Sequence, residues 1–158
     1  MESVKKEAQL LQQDISNETS IGISFYFHSE QLDFDEISKK LSIMPTNTVK
    51  KSQIKCEDFA EDYWNFEIEK MPSDDIGNQV NLLMDVFLPK SSAILDILSN
   101  QNTKIGITII IDVYDGKFPL LVLTGEQVAF IGQFHCQLAF DIMYFENEEN
   151  GRRVETIS

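Results

Sequence analysis

Apolar and polar residues alternate along Lys104–Asp115, where five β-branched aliphatic side chains fall on one face of an extended chain. A period of two gives a single apolar face only in a strand, and β-branched residues favour strands. The pair Asp115-Gly116 follows, and a second apolar run, Phe118–Leu123, comes after it. An Asp-Gly pair between two such runs predicts a β-hairpin, because both central residues of a type I′ turn need positive φ.

The same period of two predicts further strands elsewhere in the chain. Residues Ile21–His28, Tyr63–Glu69 and Gln137–Phe145 each place aromatic or aliphatic side chains on one face and mostly polar ones on the other. Thr46–Lys55 is polar and is expected to hold only a short edge strand. We therefore expect half-buried strands whose apolar faces cover one core.

A short helix is predicted between the first two strands. Asp33 is its expected N-cap, and Glu36 lies three residues later in the position that a capping box requires. The helix is expected to end before Met44-Pro45, because proline disfavours the helical conformation of the residue before it.

Two later helices are predicted from the same kind of signal. Ser73 or Asp74 is the expected N-cap of a helix that Pro89 interrupts, since proline costs about 3 kcal/mol inside a helix. The apolar stripe continues after Pro89, so we expect the helix either to kink or to restart at Ser91-Ser92. Thr124 and Gln127 form a second capping-box pattern, which predicts a helix that ends near Gly132.

The order of these elements predicts an α+β fold with a ferredoxin-like split βαβ core and a mainly antiparallel sheet. A C-terminal βαβ unit is expected to extend that sheet. Residues 1–20 have apolar residues at intervals of three and four and predict an N-terminal helical arm. Residues 21–145 are then a single α+β domain, and residues 146–158 are a charged, acidic tail.

Composition narrows the classes of function. The chain of 158 residues is 42% hydrophobic and has a formal net charge of −13, with a sequence pI of about 4.4. This excess of negative charge argues against nucleic acid and anionic membranes as partners and favours a basic partner or a cationic ligand. Solubility alone is an equally good explanation of the charge. No apolar run is long enough for a membrane span, and no signal peptide is evident, so a cytoplasmic location is expected.

Candidate catalytic chemistry is sparse. The histidines are His28 and His135, and neither they nor the two cysteines, Cys56 and Cys136, follow a metal or redox spacing. Cys136 adjoins His135, but neighbours on a strand point to opposite faces and could not act on one atom. We therefore predict no metal, no cofactor and no catalytic residues.

Carboxylates and aromatic residues are interleaved around the start of the third long strand. Such a mixture suits docking on a basic surface, because carboxylates steer association and aromatic side chains provide buried anchors. The alternative is that Trp64 belongs to the core and that the carboxylates form an ordinary solvated loop. The predicted partner-binding residues are Glu57, Asp58, Phe59, Glu61, Asp62, Tyr63, Glu67 and Glu69.

Several segments together resemble a bacterial family called domain of unknown function 4279, over about residues 20–145. They are the strand Ile21–Phe27, the region Leu32–Thr46, Trp64, the helix around Val80–Leu88 and the run Ile105–Tyr144. The resemblance implies a shared fold, and it points to no particular activity because none is established for the family. By analogy, small acidic proteins of this kind are often immunity proteins that inhibit secreted toxins, although a fold does not carry a function.

These observations lead to one expected function and one alternative. We expect a non-catalytic acidic binding protein, of the immunity or inhibitor type, that neutralises a basic protein such as a nuclease toxin. It is expected to act as a monomer or homodimer. The alternative is a small-ligand-binding sensor domain of a ferredoxin-like type, and an enzyme ranks last.

Overall fold

Five strands form one mixed sheet in a computed structural model that describes residues 17–55, 60–100 and 102–146. Their order across the sheet is β2-β3-β1-β4-β5. The β4–β5 pairing is parallel and the other three pairings are antiparallel. The predicted α+β class is confirmed. The strands are β1 (Ser20–Ser29), β2 (Asn47–Val49), β3 (Asp62–Pro72), β4 (Lys104–Tyr114) and β5 (Gln137–Phe145).

Capping residues fix where the helices begin. The helices are α1 (Phe34–Leu41), α2 (Ile76–Phe87), α3 (Ser91–Leu98) and α4 (Gly125–Gly132). Asp33 caps α1 by accepting a hydrogen bond from the Glu36 N–H, and Thr124 caps α4 with the predicted capping box. The predicted cap of α2 was wrong. Asp75 caps that helix through the Gly77 N–H, while the Ser73 hydroxyl bonds to the backbone of Asp75.

Proline interrupts the second helical region as predicted. The α2 helix ends at Phe87, a 3₁₀ turn spans Leu88–Lys90, and α3 begins at Ser91. Pro89 lies at the first turn of this new segment, where its missing N–H costs no helical hydrogen bond.

The core lies between the helices and one face of the sheet. Phe25 on β1 stacks on Phe87 of α2, with ring centroids 4.1 Å apart, and Phe66 on β3 meets the same ring edge-on. Trp64 is 0% exposed, and its indole N–H donates to the Ser38 hydroxyl of α1 at 2.9 Å. Trp64 is therefore a core residue, which is the alternative that the sequence left open.

The predicted hairpin after β4 was wrong. Asp115 and Gly116 do adopt positive φ values of 51° and 69° and turn the chain. The run Phe118–Leu123 does not pair with β4, however, and forms only an isolated bridge through Leu120. The position beside β4 is occupied by β5, which runs parallel to it. The C-terminal βαβ unit therefore consists of β4, α4 and β5.

The ends of the chain lie mostly outside the described residues. Of the predicted N-terminal arm, only residues 17–20 are described, and Ser20 already belongs to β1. The Thr19 hydroxyl donates to the Lys117 carbonyl at 2.6 Å and accepts from the Tyr114 N–H at 3.2 Å, which joins this segment to the end of β4. Of the predicted tail, Glu146 is described and residues 147–158 are not.

Candidate functional site

One face of the sheet carries no helix from the described part of the chain. Every described helix packs on the opposite face, where the strands present Phe25, Trp64 and their apolar neighbours. The uncovered face, called here the open sheet face, is mostly polar on β1 and β3. In the centre of the sheet its residues are Ser24, Tyr26 and His28 on β1, with Tyr63, Asn65 and Glu67 opposite them on β3.

Three rings lie together on the open sheet face at the end of β1. The register places His28 opposite Tyr63, and their rings stack with centroids 5.8 Å apart and an interplanar angle of 9°. Tyr26 lies 5.7 Å from the His28 ring and 5.9 Å from the Tyr63 ring. We call Tyr26, His28 and Tyr63 the aromatic cluster. Its rings are partly exposed, so a partner could contact them without any rearrangement of the core.

A carboxylate borders this cluster. The Glu61 side chain contacts His28 Nδ1 at 2.5 Å, and both side chains are partly exposed, at 25% and 15% respectively. Partial burial raises the pKa of the Tyr63 phenol, and the nearby Glu61 and Tyr26 add to that effect. The Tyr63 hydroxyl therefore stays neutral at physiological pH and is available as a hydrogen-bond donor.

A glycine makes room for the first of the three rings. Gly106 on β4 lies opposite Tyr26, and a Cβ atom added to Gly106 would fall within 2.5 Å of three atoms of the Tyr26 side chain. The Tyr26 ring therefore lies flat across the neighbouring strand, where any larger residue would displace it. The position of the aromatic cluster thus depends on a residue that is distant in sequence.

Polar side chains continue the open sheet face along β1 and β3. The Ser24 hydroxyl donates to Asn65 Oδ1 at 2.5 Å, and Asn65 Nδ2 donates to Glu67 Oε1 at 2.7 Å. Because Asn65 uses both ends of its amide, its orientation is fixed by its neighbours. The Glu67 carboxylate is exposed beside this network and is held near the surface of the sheet.

An acidic cleft lies on the helix side of the sheet, at the same end of β1 that carries the aromatic cluster on the open sheet face. It has a volume of about 840 Å³ and opens between the N-terminus of α1 and the C-terminus of α3. Lys40 crosses it, with its ammonium 2.7 Å from Asp96 and 2.9 Å from Glu36, and these two hydrogen bonds raise the pKa of Lys40. The carboxylates that line it are Glu30, Asp33, Asp35, Glu36 and Asp96.

Asp62 has a different role from the one expected of a partner-binding residue. Its side chain is buried at 3% exposure and accepts hydrogen bonds from the Leu32 N–H, the Lys51 N–H and the Lys50 ammonium, at 3.0, 2.8 and 3.1 Å. Burial by itself raises the pKa of Asp62, but these donors outweigh it and hold the pKa below its usual value. Asp62 joins the backbone at Leu32 to Lys50 and Lys51 through these hydrogen bonds and does not present its carboxylate to solvent.

The remaining predicted residues divide into three groups. Glu61, Tyr63 and Glu67 lie at or beside the open sheet face. Glu69 is exposed at a β-bulge in which it and Lys70 face the single residue Gly22. The last group, Glu57, Asp58 and Phe59, lies outside the described residues.

The predicted site did not include Tyr26, His28 or Gly106. The alternation of β1 already placed Tyr26 and His28 on its polar face. What was lacking was the strand register, which brings them beside Tyr63 and over Gly106. Two large rings on a face that is otherwise small or polar were the available signal.

The surroundings of the other candidate reactive groups are as follows. Asp112 on β4 forms an ion pair with Lys70, whose ammonium lies 2.7 Å from the Asp112 carboxylate. Among the described residues, no group of three or more His, Cys, Asp or Glu side chains is placed to hold a metal ion. Burial raises the pKa of the Cys136 thiol to about 11, so this thiol stays protonated and is a poor nucleophile at neutral pH.

Comparison with known proteins places this fold in a family. The chain is an α+β domain with a five-stranded mixed sheet and an exposed acidic and aromatic surface at one end. A family model described as a domain of unknown function (DUF4279) matches residues 17–145, and the chain belongs to that family. No curated protein and no solved structure matches it. Within the residues that the structure describes, none of the helices has both the length and the apolar character of a membrane span.

Proposed function

We propose that this protein is a non-catalytic binding protein of the immunity or inhibitor type, which neutralises a basic partner such as a nuclease toxin. The observation that carries the proposal is that the aromatic cluster, the neighbouring Glu61 and the acidic cleft all lie at one end of the sheet. Rings and carboxylates thus share one accessible end of the sheet, and this arrangement suits docking on a basic surface.

The carboxylates supply attraction and orientation. Glu30 and Asp35 line the acidic cleft and form no ion pair within the described part of the chain, whereas Glu36 and Asp96 share Lys40. Charges of this kind at the rim of an interface accelerate association and fix its register, and they contribute little if the partner is neutral. The excess of negative charge therefore favours a basic partner over a neutral one.

The aromatic cluster supplies the anchor. Tyrosine is enriched among residues that dominate binding energies, because its ring buries a large area and its hydroxyl still finds a partner. Tyr26 and Tyr63 also present ring faces on which an arginine or lysine side chain of the partner can lie, and such a contact contributes about 0.5 to 2 kcal/mol. We expect these two rings and Glu61 to form the centre of the interface, with Glu67 and Glu69 at its rim.

The experiment uses the full-length chain and the protein encoded by the adjacent gene. We expect that protein to be basic and to form a complex with this chain whose dissociation constant rises with salt concentration. The Tyr63→Ala variant should lose about 2 kcal/mol or more of binding free energy, as hot-spot residues do. Isothermal titration calorimetry at several salt concentrations measures both effects.

Two matched double variants separate a specific surface from general charge attraction. Glu61→Gln with Glu67→Gln removes two negative charges from the proposed interface. Asp85→Asn with Glu126→Gln removes two from exposed positions on α2 and α4. The first pair should weaken the complex about tenfold or more, and the second should change it little. Equal effects of the two pairs, or the absence of any complex, would contradict the proposal.

A small-ligand sensor is the second candidate, and the volume of the acidic cleft favours it. A cleft of about 840 Å³ is large enough for an organic cation. Thermal unfolding with a polyamine such as spermidine tests this alternative, because a ligand at a hundred times its dissociation constant stabilises by about 2.7 kcal/mol. An Asp35→Asn variant should lose that shift.

We also propose the finer fold and the compartment that the sequence indicated. The order β2-β3-β1-β4 with antiparallel pairing throughout supports a ferredoxin-like core, to which β5 adds a parallel edge strand. A cytoplasmic location is consistent with the free thiol of Cys136.

A further inference from the structure

The two edges of the sheet differ in how well they are protected. At one edge β2 is three residues long, and Pro45 and Lys50 flank it within two residues of its ends. At the other edge β5 runs for nine residues and pairs only with β4 among the described strands. Its sequence contains no lysine, arginine or proline, which are the residues that normally prevent an edge strand from pairing further.

Apolar side chains are exposed on both faces of β5. Phe140, on the helix side, is 46% exposed, and Met143, on the open sheet face, is 38% exposed. Phe118 lies against Tyr144 at 5.1 Å and extends this apolar surface beyond the end of the strand. A strand with unpaired backbone groups and apolar residues on both faces is a template for another strand.

Charge indicates what that other strand is. The chain has a net charge of −13, but β5 contains a single charged residue, Asp141, and the run Phe118–Leu123 contains none. Two copies of the chain repel each other over most of their surfaces and least at this neutral edge. A two-fold axis at Phe140 or Ile142 would also avoid placing the two Asp141 carboxylates directly opposite each other.

We propose that a second copy of this chain pairs with β5, antiparallel and about a two-fold axis, to give one continuous ten-stranded sheet. The two-fold axis dictates the antiparallel direction, because it reverses one strand relative to the other. The apolar side chains on both faces of β5 then pack against those of the second copy and are removed from contact with water. This inference does not depend on the proposed partner, since it uses the opposite part of the sheet.

Sedimentation velocity of the full-length chain over a wide concentration range tests the proposal. We expect a dimer for the unaltered protein and a monomer at the same concentrations for Phe140→Lys and for Met143→Lys, each of which places a charge on one face of β5. Leu95→Lys is the control, because Leu95 is 52% exposed on α3, away from the edge, and this variant should remain dimeric. Circular dichroism confirms that each variant is folded.

Amide hydrogen exchange gives a second and independent measurement. Exchange in β5 of the unaltered protein should slow as concentration rises, while exchange in β2 should not change. A chain that is monomeric at all concentrations overturns the proposal, and the edge is then covered by some other chain or segment. A dimer that persists in Phe140→Lys, or whose formation leaves exchange in β5 unchanged, overturns it as well.

Discussion

Replacing Gly106 by alanine tests whether the aromatic cluster is held in place by the strand beneath it. The added Cβ would lie within 2.5 Å of three atoms of the Tyr26 side chain, whereas carbon atoms in contact are normally about 3.5 to 4.0 Å apart. The backbone of β4 pairs with β1 on one side and β5 on the other and is therefore the less mobile element. We expect the Tyr26 ring to move away from His28 and Tyr63.

The cost follows from the contacts that the ring would lose. An aromatic pair contributes about 0.5 to 1.5 kcal/mol beyond its buried area, and Tyr26 takes part in two such pairs. Alanine in place of glycine returns about 0.4 to 1 kcal/mol by restricting the unfolded chain. The net loss of unfolding free energy should therefore be about 1 to 2 kcal/mol, which agrees with the usual range for an overpacked site.

A double-mutant cycle with Tyr26→Ala isolates the interaction. Urea denaturation should show Gly106→Ala to be destabilising in the unaltered chain and neutral or slightly stabilising when Tyr26 is already alanine. Gly132→Ala serves as a control, since a Cβ added to Gly132 has no neighbour within 4 Å and alanine is the better helix former. An equal cost of Gly106→Ala in both backgrounds would refute the role of the ring.

Two further predictions concern titratable groups, the buried Asp62 and the partly buried Cys136. Because the folded-state pKa of Asp62 lies below its unfolded value, its ionised form stabilises the fold above about pH 4. This contribution is lost as the pH falls through the lower folded-state pKa, so the difference in stability between the unaltered chain and Asp62→Asn should shrink in acid, as chemical denaturation at several pH values will show. In a Cys56→Ser variant, Cys136 should react with iodoacetamide near pH 8 much more slowly in the folded protein than in urea. The reason is that burial raises the pKa of the Cys136 thiol to about 11. Equal rates in the two conditions would contradict this prediction.

Local signals in the sequence were sufficient for most elements. Gln137–Phe145 was predicted with its observed bounds, and Asp33 and Thr124 cap the helices that they were expected to cap. Each of these features depends on a few neighbouring residues, such as a side-chain oxygen within reach of an N–H two or three positions later. Such features can be predicted because no distant residue decides them.

The prediction of a hairpin after β4 was wrong because distant segments compete for the position beside β4. Asp115-Gly116 forms a turn as expected, and the sequence gives no indication that β5, more than twenty residues later, takes the place beside β4. Pro119 was a local signal against strand pairing, since it lies within the predicted strand and has no N–H to donate. A turn signal thus predicts a change of direction and does not identify which strand will pair.

The candidate site was predicted only in part, for a related reason. Glu61, Tyr63 and Glu67 were predicted because carboxylates and aromatic residues are interleaved in this segment. That pattern could not distinguish them from Asp62, which lies among them and is buried. Alternation along β3 does not separate these roles, because Asp62 lies at the start of the strand, where loops converge on it. The role of a carboxylate at such a position depends on which backbone N–H groups the fold brings to it.

The arrangement of the sheet separates the two proposed surfaces. The aromatic cluster lies on β1 and β3, and β4 stands between them and the edge strand β5. A basic partner at the aromatic cluster and a second copy of the chain at β5 therefore occupy different parts of the molecule and should bind independently. Phe140→Lys should abolish the dimer and leave the affinity for the basic partner unchanged. Tyr63→Ala should weaken binding of the basic partner and leave the dimer unchanged. If either variant impaired both interactions, the two surfaces would have to be coupled through the sheet, and their binding would not be independent.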